Sequence, residues 1–217
     1  MAGVKSAIYQ QLARVAQALA SDARLHLLEY LAQAERSVDE LASMTGLSVA
    51  NCSKHLQGLR QAGLVVARKE GLRVYYAIAG DDVSLLLSSL RGVAEHRVAE
   101  VDRLLRTWLA HRDEMEPVPA TELLERAKKG LVTVLDVRPA EEYAAGHLPG
   151  AINVPVGKLE SYLSKLPKRK EVVAYCRGPY CLMSFDAVEK LRKRGWKARR
   201  LRDGFPEWRA AGLPVER

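Results

Sequence analysis

The chain has 217 residues, enough for two domains that each bury a core of their own. No stretch approaches the roughly 20 apolar residues of a membrane span and no signal-length apolar run follows the N-terminus, so a cytoplasmic protein with no membrane partner is expected. The formal net charge is +8, but residues 1–116 carry 14 basic and 14 acidic side chains and residues 117–217 carry 20 and 12, so global charge excludes little and argues poorly for nucleic acid. In chain order, Leu12, Val15, Ala16 and Leu19 share one helical face, and Leu25, Leu27, Leu28 and Leu31 predict a second helix behind Ser21 and Asp22, residue types that cap. Ser37 with Glu40 three residues on forms a capping-box pattern for a helix that stops at Gly46. Another helix follows over 48–62 and ends at Gly63. Residues 65–68 and 73–78, separated by Lys69, Glu70, Gly71 and Leu72, read as a hairpin. Leu85, Leu86, Leu90, Val93, Val98, Val101, Leu104, Leu105 and Trp108 then predict one long amphipathic helix ending near His111.

Residues 113–120 carry two prolines and three acids and read as a linker. Beyond it the rhythm changes to strands alternating with helices, with short apolar strands over 131–136 and 171–175 that end in polar residues, where open α/β sheets place their sites. The expected fold is therefore two domains. The first, over 1–112, is a mostly-α winged helix-turn-helix; the second, over 121–217, is α/β with a parallel sheet flanked by helices.

The turn at Thr45, Gly46 and Leu47 joins two short helices, the second rich in small polar residues and followed by a basic hairpin. In this arrangement the second helix enters the DNA major groove. Over residues 47–73, Lys54, Arg60, Arg68, Lys69 and Arg73 stand against Glu70 alone, a local excess of +4. Ser48 is placed to cap the recognition helix, whose first amides face a phosphate. Asn51 and Lys54, and more weakly Gln57, are candidates for base edges, while Arg68, Lys69 and Arg73 suit phosphates.

The stretch 38–65, Val-Asp-Glu-Leu-Ala-Ser-Met-Thr-Gly-Leu-Ser-Val-Ala-Asn-Cys-Ser-Lys-His-Leu-Gln-Gly-Leu-Arg-Gln-Ala-Gly-Leu-Val, resembles the ArsR/SmtB family of winged-helix regulators. That resemblance covers about the first 110 residues and implies a homodimer, paired through its first and last helices, on a palindromic double-stranded operator. Many members bind metals, but residues 38–44 hold no cysteine, and His96 and Glu100 lack an Asp-x-His partner at Asp81 or Asp82. No metal and no cofactor are expected. Cys52 takes a small apolar position of the recognition helix and is expected to pack rather than to sense redox state, and His55 is expected to be structural or phosphate-contacting.

Cys52, Cys176 and Cys181 are too few and too unevenly spaced for a disulfide scaffold or a paired Cys-x-x-Cys zinc site, which leaves thiol chemistry. Cys176 follows a buried strand and enters a loop of Arg177, Gly178, Pro179, Tyr180 and Cys181, with a helix starting near 181–184. Loop amides and the helix dipole would together hold a thiolate, then a persulfide. Arg177 is expected to admit a small anionic sulfur donor such as thiosulfate, and a thiol or cyanide to accept the sulfur. Asp136 and Arg138 are expected to pair beneath the loop in a supporting role, and Cys181 is a possible redox partner of Cys176. Phosphatase-type chemistry needs Cys-x5-Arg, and Leu182 stands where that arginine would be.

Leu135-Asp136-Val137-Arg138, the run from Glu142 through Gly146-His147-Leu148-Pro149-Gly150 to Pro155, Cys176 through Cys181, and Leu201-Arg-Asp-Gly204-Phe-Pro-Glu-Trp208 together resemble a single rhodanese domain from about Pro117 onward. The family often has Gly-Gly in the last element, and Asp203 takes the first of those positions here. The resemblance implies sulfurtransferase chemistry at Cys176. Two functions remain open: a regulator in which sulfane-sulfur or redox state alters operator binding, or a sulfurtransferase whose winged helix only dimerises or localises it. A regulator with a silent rhodanese module is a third. Lys190, Arg192, Lys193, Arg194, Lys197, Arg199, Arg200 and Arg202 form a run without an acid, either a solvated face or a surface for phosphates or an acidic relay partner.

Overall fold

A computed structural model describes residues 2–109 and 117–217. The chain falls into two compact units, Met1–Val83 and Ser84–Arg217. Residues 113–116 of the expected linker, and His111 before them, lie outside the described residues.

The first unit begins with α1 (Ala2–Leu19) and α2 (Asp22–Leu31). The cap position of α2 is Ser21, although its hydroxyl makes no capping bond. The short strand β1 (Arg36–Ser37) runs into α3 (Val38–Thr45), where the Glu40 amide donates to Ser37 Oγ at 3.3 Å and the Ser37 amide donates to the Glu40 carboxylate at 2.7 Å. These two bonds satisfy amides that a helix start otherwise leaves open. Gly46, at φ 70°, ends α3 in the left-handed conformation and leads into α4 (Val49–Gln61), capped by Ser48 Oγ, which accepts from the Asn51 amide at 3.3 Å. The hairpin is β2 (Val65–Glu70) with β3 (Arg73–Ile78). The first strand is two residues longer than expected and the second matches 73–78: Glu70 pairs with Arg73, so only Gly71 and Leu72 make the turn, and Gly71 at φ 59° permits so tight a reversal. Ser37 also pairs with Tyr75, adding β1 to the free edge of β3. Leu27, Leu28 and Leu31 of α2, Leu41 of α3, and Cys52, Leu56 and Leu59 of α4 fill the core beneath.

Instead of one long helix there are two, α5 (Asp81–Arg97) and α6 (Ala99–Leu109), separated at Val98. The Val98 carbonyl accepts amides from both Val101 and Asp102, a local tightening that the heptad-like pattern does not reveal. From Ser84 on, these helices group with the second unit rather than with the winged helix.

The rest of the second unit is α7 (Ala120–Lys128), β4 (Val132–Asp136), α8 (Ala140–Ala145), β5 (Ile152–Asn153), α9 (Leu159–Tyr162), β6 (Glu171–Tyr175), α10 (Leu182–Lys193), β7 (Ala198–Arg200) and α11 (Phe205–Ala210). The four strands form a parallel sheet in the order β5-β4-β6-β7. Helices cover both faces, which is why the strands read as continuous apolar runs. Side chains alternate across β6: Val172, Ala174 and Cys176 enter the layer with Leu159, Val188 and Leu191, while Val173 and Tyr175 enter the layer with Leu123, Phe205 and Trp208. Among the described residues, no helix is long and apolar enough to cross a membrane.

Candidate functional site

Two sites take shape, one in each unit. On α4, burial of Cys52, Leu56 and Leu59 on one face leaves Asn51, Lys54 and Gln57 exposed on the other. Their positions follow from the helical period. Gln57 lies near the Ser53 hydroxyl. His55 is half-buried between the two faces.

In the hairpin, Lys69 and Arg73 are exposed, but Arg68 differs from its expected role as a phosphate contact. Its guanidinium donates to both Glu35 oxygens, at 2.7 and 3.2 Å, and to Glu70, and it stacks 5.0 Å over the Tyr75 ring. With two carboxylates already answering its charge, Arg68 braces the hairpin rather than offering a free cation.

Cys52 is fully buried, with its thiol directed at the Val38 carbonyl 3.7 Å away. Burial, with a smaller push from Asp39, raises the thiol to about 11. A neutral, enclosed thiol is a poor nucleophile. Iodoacetamide applied to the reduced, folded protein at mildly alkaline pH is therefore expected to leave Cys52 unlabelled, with labelling appearing in urea. Peptide mapping reads the outcome, and labelling in the folded state would disprove the packing assignment.

The second site lies at the C-terminal end of the parallel sheet. The alternation along β6 turns Cys176 into a closed layer, only 1% exposed. Its sulfur is bonded to that of Cys181, with the two Cα atoms 6.3 Å apart. Cys181 is the N-cap residue of α10, so the bonded sulfurs sit at the positive end of that helix. Within the loop the Cys181 amide donates to the Gly178 carbonyl at 3.1 Å, and the Phe205 amide donates to the Cys176 carbonyl at 3.1 Å. Gly204 lies so close beneath that a Cβ there would come within 2.4 Å of the Arg177 carbonyl and the Gly178 nitrogen.

Asp136 and Arg138 form a fully buried ion pair at the end of β4. Arg138 Nε donates to both Asp136 oxygens at 3.1 Å and Nη2 donates at 2.6 Å, while Nη2 also reaches the Gly146 carbonyl at 2.8 Å.

Arg177, expected to face an incoming anion, turns inward instead. Its Nε and Nη2 donate to the carboxylate of Glu142 at 3.1 and 2.7 Å, and the side chain is 17% exposed against 0% for Glu142. The physical reason is Glu142 itself, since a buried carboxylate requires a cation. The loop also meets α5: Tyr180 donates its hydroxyl proton to Glu95 at 2.5 Å, and Arg91 pairs with Glu207, whose other oxygen accepts the Gly204 amide at 3.0 Å.

Sequence reasoning missed Glu142, Glu207, Arg91 and Glu95 as parts of this site. Only Glu207 left a local trace, an acid three residues after Gly204 where a helix begins. The basic run over 190–202 is largely engaged within the fold. Arg199 pairs with Glu171 and Glu122, Lys193 with Glu189 and Arg194 with Glu160, while Arg200 stacks on Phe185.

Residues 119–211 match the family described as Rhodanese-like domain, and residues 21–66 match the Bacterial regulatory protein, arsR family. Among curated proteins, the HTH-type transcriptional regulator Rv0324 of Mycobacterium tuberculosis is 46% identical over 212 residues, 98% of this chain and 93% of that protein. A protein named sulfurtransferase from Allochromatium vinosum is 33% identical over 85 residues, 39% of this chain and 78% of its own. Similar solved structures include the homodimeric winged helix-turn-helix DNA-binding domain (fragment 1–100) of Mb0332 from Mycobacterium bovis, 46% identical, covering 43% of this chain and 87% of that one, with a TM-score of 0.41. A rhodanese-related protein from Thermoplasma volcanium is 29% identical, covers 47% of this chain and 98% of its own, and has a TM-score of 0.43.

Proposed function

Because the chain belongs to the arsR family of bacterial regulatory proteins and carries a rhodanese-like domain in the same polypeptide, it is a transcriptional regulator, and we propose that sulfur chemistry at Cys176 sets how tightly it holds DNA. The observation that carries this reading is the pairing of Cys176 with Cys181 at the start of α10, in a chain that also presents a recognition helix.

In the reduced protein, the α10 dipole favours the Cys176 thiolate. That thiolate attacks the outer sulfur of an anionic donor such as thiosulfate. The donor's S–S bond breaks, sulfite leaves with the bonding pair, and Cys176 carries the persulfide. A thiol or cyanide then removes the outer sulfur and regenerates the thiolate. Alternatively, the Cys181 thiolate attacks the inner sulfur of the Cys176 persulfide, hydrosulfide leaves, and the disulfide remains. A thiol reductant restores both cysteines, itself becoming a disulfide. Arg177 and Glu142, with Asp136 and Arg138, hold the loop from below; buried Gly178 packs over Gly204, and half-buried Pro179 and Tyr180 complete the loop.

On the DNA side, Asn51 and Lys54, and secondarily Gln57, read base edges. Ser48 and the first amides of α4 meet a phosphate, as do Lys69 and Arg73 on the hairpin. The exposed row of Val4, Ile8, Tyr9 and Leu12 on α1 supports a homodimer, and so a palindromic operator. The protein works in the cytoplasm; the family resemblances divide its domains at 1–112, 113–120 and 121–217, whereas by compactness alone the chain divides between Val83 and Ser84.

The test uses a fluorescein-labelled duplex selected from a random library on the reduced protein. Thiosulfate treatment is expected to add sulfur at Cys176 by intact mass spectrometry and to change duplex affinity at matched salt. Unchanged affinity overturns the coupling. The similarity to a named sulfurtransferase favours a second reading, an enzyme whose winged helix only dimerises or localises it. In that case Cys176→Ser abolishes cyanide-dependent thiocyanate formation, while duplex affinity in both proteins ignores thiosulfate.

A further inference from the structure

Helix α5 was expected to serve dimerisation, yet two of its side chains, one helical turn apart, are directed at the sulfur loop. Glu95 accepts the Tyr180 hydroxyl proton at 2.5 Å, and Arg91 pairs with Glu207, which in turn holds the Gly204 amide under the loop. Arg91 also lies beside Gly178, its guanidinium 3.9 Å from where a Cβ would stand. Arg177 faces inward to Glu142, so Arg91 is a cation on the loop's α5 side.

Little apolar burial competes with these polar ties. Leu85, Leu86, Leu90 and Val93 of α5 are exposed while Leu87 is half-buried, and the polar ties of the helix to the loop are those of Arg91 and Glu95. Tyr180 adjoins Cys181 inside the ring that the disulfide closes. Cys176 is buried, and protein interiors are in general packed closely enough that an added sulfur displaces neighbours. An extra sulfur on Cys176, or opening of the ring, must therefore move Tyr180 relative to Glu95. Helix α5 begins at Asp81, so its first three residues, through Val83, precede the division between the two compact units, and it follows β3 closely in the chain.

We infer that Glu95 and Arg91 are positioning residues of the sulfur site, and that through the Tyr180–Glu95 and Arg91–Glu207 contacts the placement of α5 changes with the sulfur state of Cys176. The inference rests on the proposal that Cys176 takes up sulfur by displacing sulfite from thiosulfate. It is distinct from any effect on DNA, because it concerns only how the helix answers the loop.

The test is hydrogen–deuterium exchange of the α5 amides in the full chain, comparing the reduced protein with the thiosulfate-loaded protein. Loss of one charge-assisted hydrogen bond is expected to change exchange over 91–97 by about tenfold. In Glu95→Gln, and independently in Tyr180→Phe, which removes a single oxygen, the difference between the two states is expected to shrink below about twofold. Glu100→Gln, whose wild-type carboxylate pairs with Arg103 on exposed α6, is expected to keep the full difference. Exchange that ignores sulfur loading in the wild type, or a state dependence that survives both substitutions, overturns the inference. Duplex affinity on the same samples separates the two claims. A responsive α5 with unchanged affinity sinks the proposed function and leaves the inference standing, and the reverse pattern does the opposite.

Discussion

Gly204→Ala is expected to lower the melting temperature by on the order of 10 °C and to abolish sulfur loading at Cys176. The cause is not backbone conformation: Gly204 sits at φ −110° and ψ −172°, which any residue adopts. A methyl group there would meet the carbonyl carbon and oxygen of Arg177 and the nitrogen of Gly178 at 2.4 Å, and all three are main-chain atoms. A flexible side chain could swing aside, but this backbone is tied through the Phe205 amide to Cys176 and through the Gly204 amide to Glu207. Overpacking costs typically about 1–3 kcal/mol, and an obstacle made of main chain puts this case at the upper end. Gly157→Ala is the control, since nothing lies within 4 Å of its added methyl. Calorimetry of the two variants decides the matter, and equal melting temperatures would refute the close approach.

Asp136→Asn is expected to cost about 3–5 kcal/mol of stability, because it leaves the Arg138 guanidinium charged and without its counter-ion in a fully buried place. Burial works against the charge of Arg138, and Asp136 more than restores it. The ring of Phe205, 4.4 Å from the guanidinium, adds to the favourable surroundings but cannot replace a full negative charge. Asparagine keeps the shape, so the loss isolates electrostatics from packing. The double substitution Asp136→Leu with Arg138→Met removes both charges and is expected to recover most of the loss. Urea midpoints of the wild type and the two variants measure the loss and its recovery. A single Asp136→Asn loss below about 1 kcal/mol would show that the pair is not the brace of the loop.

What was legible in the sequence was local. The capping box of Ser37 and Glu40, the stop at Gly46 and the cap at Ser48 are each set by residues within four positions of one another. The strand that delivers Cys176 was readable at 171–175 because both of its faces are buried. What was not legible depends on contacts between distant positions. Arg177 looked like an anion receptor because a loop arginine beside a nucleophile suggests one, and nothing near it in the chain announces Glu142, 35 residues away. Arg91 and Glu95 carry no local signal of a site, since their partners lie 116 and 85 residues along. Strand β1 escaped notice because two residues carry no periodicity, and the break at Val98 because neither glycine nor proline marks it.

Because successive side chains of a strand face opposite ways, the layer that Cys176 enters is a matter of odd and even. Deleting a single residue inside β6 would send the nucleophile across the sheet, among Phe205 and Trp208 and away from the start of α10. A two-residue change would leave it on the correct side but out of reach of Cys181. Evolution can therefore lengthen or shorten the loops around this sheet freely, yet the count of residues along its central strand is as much a part of the chemistry as the thiol.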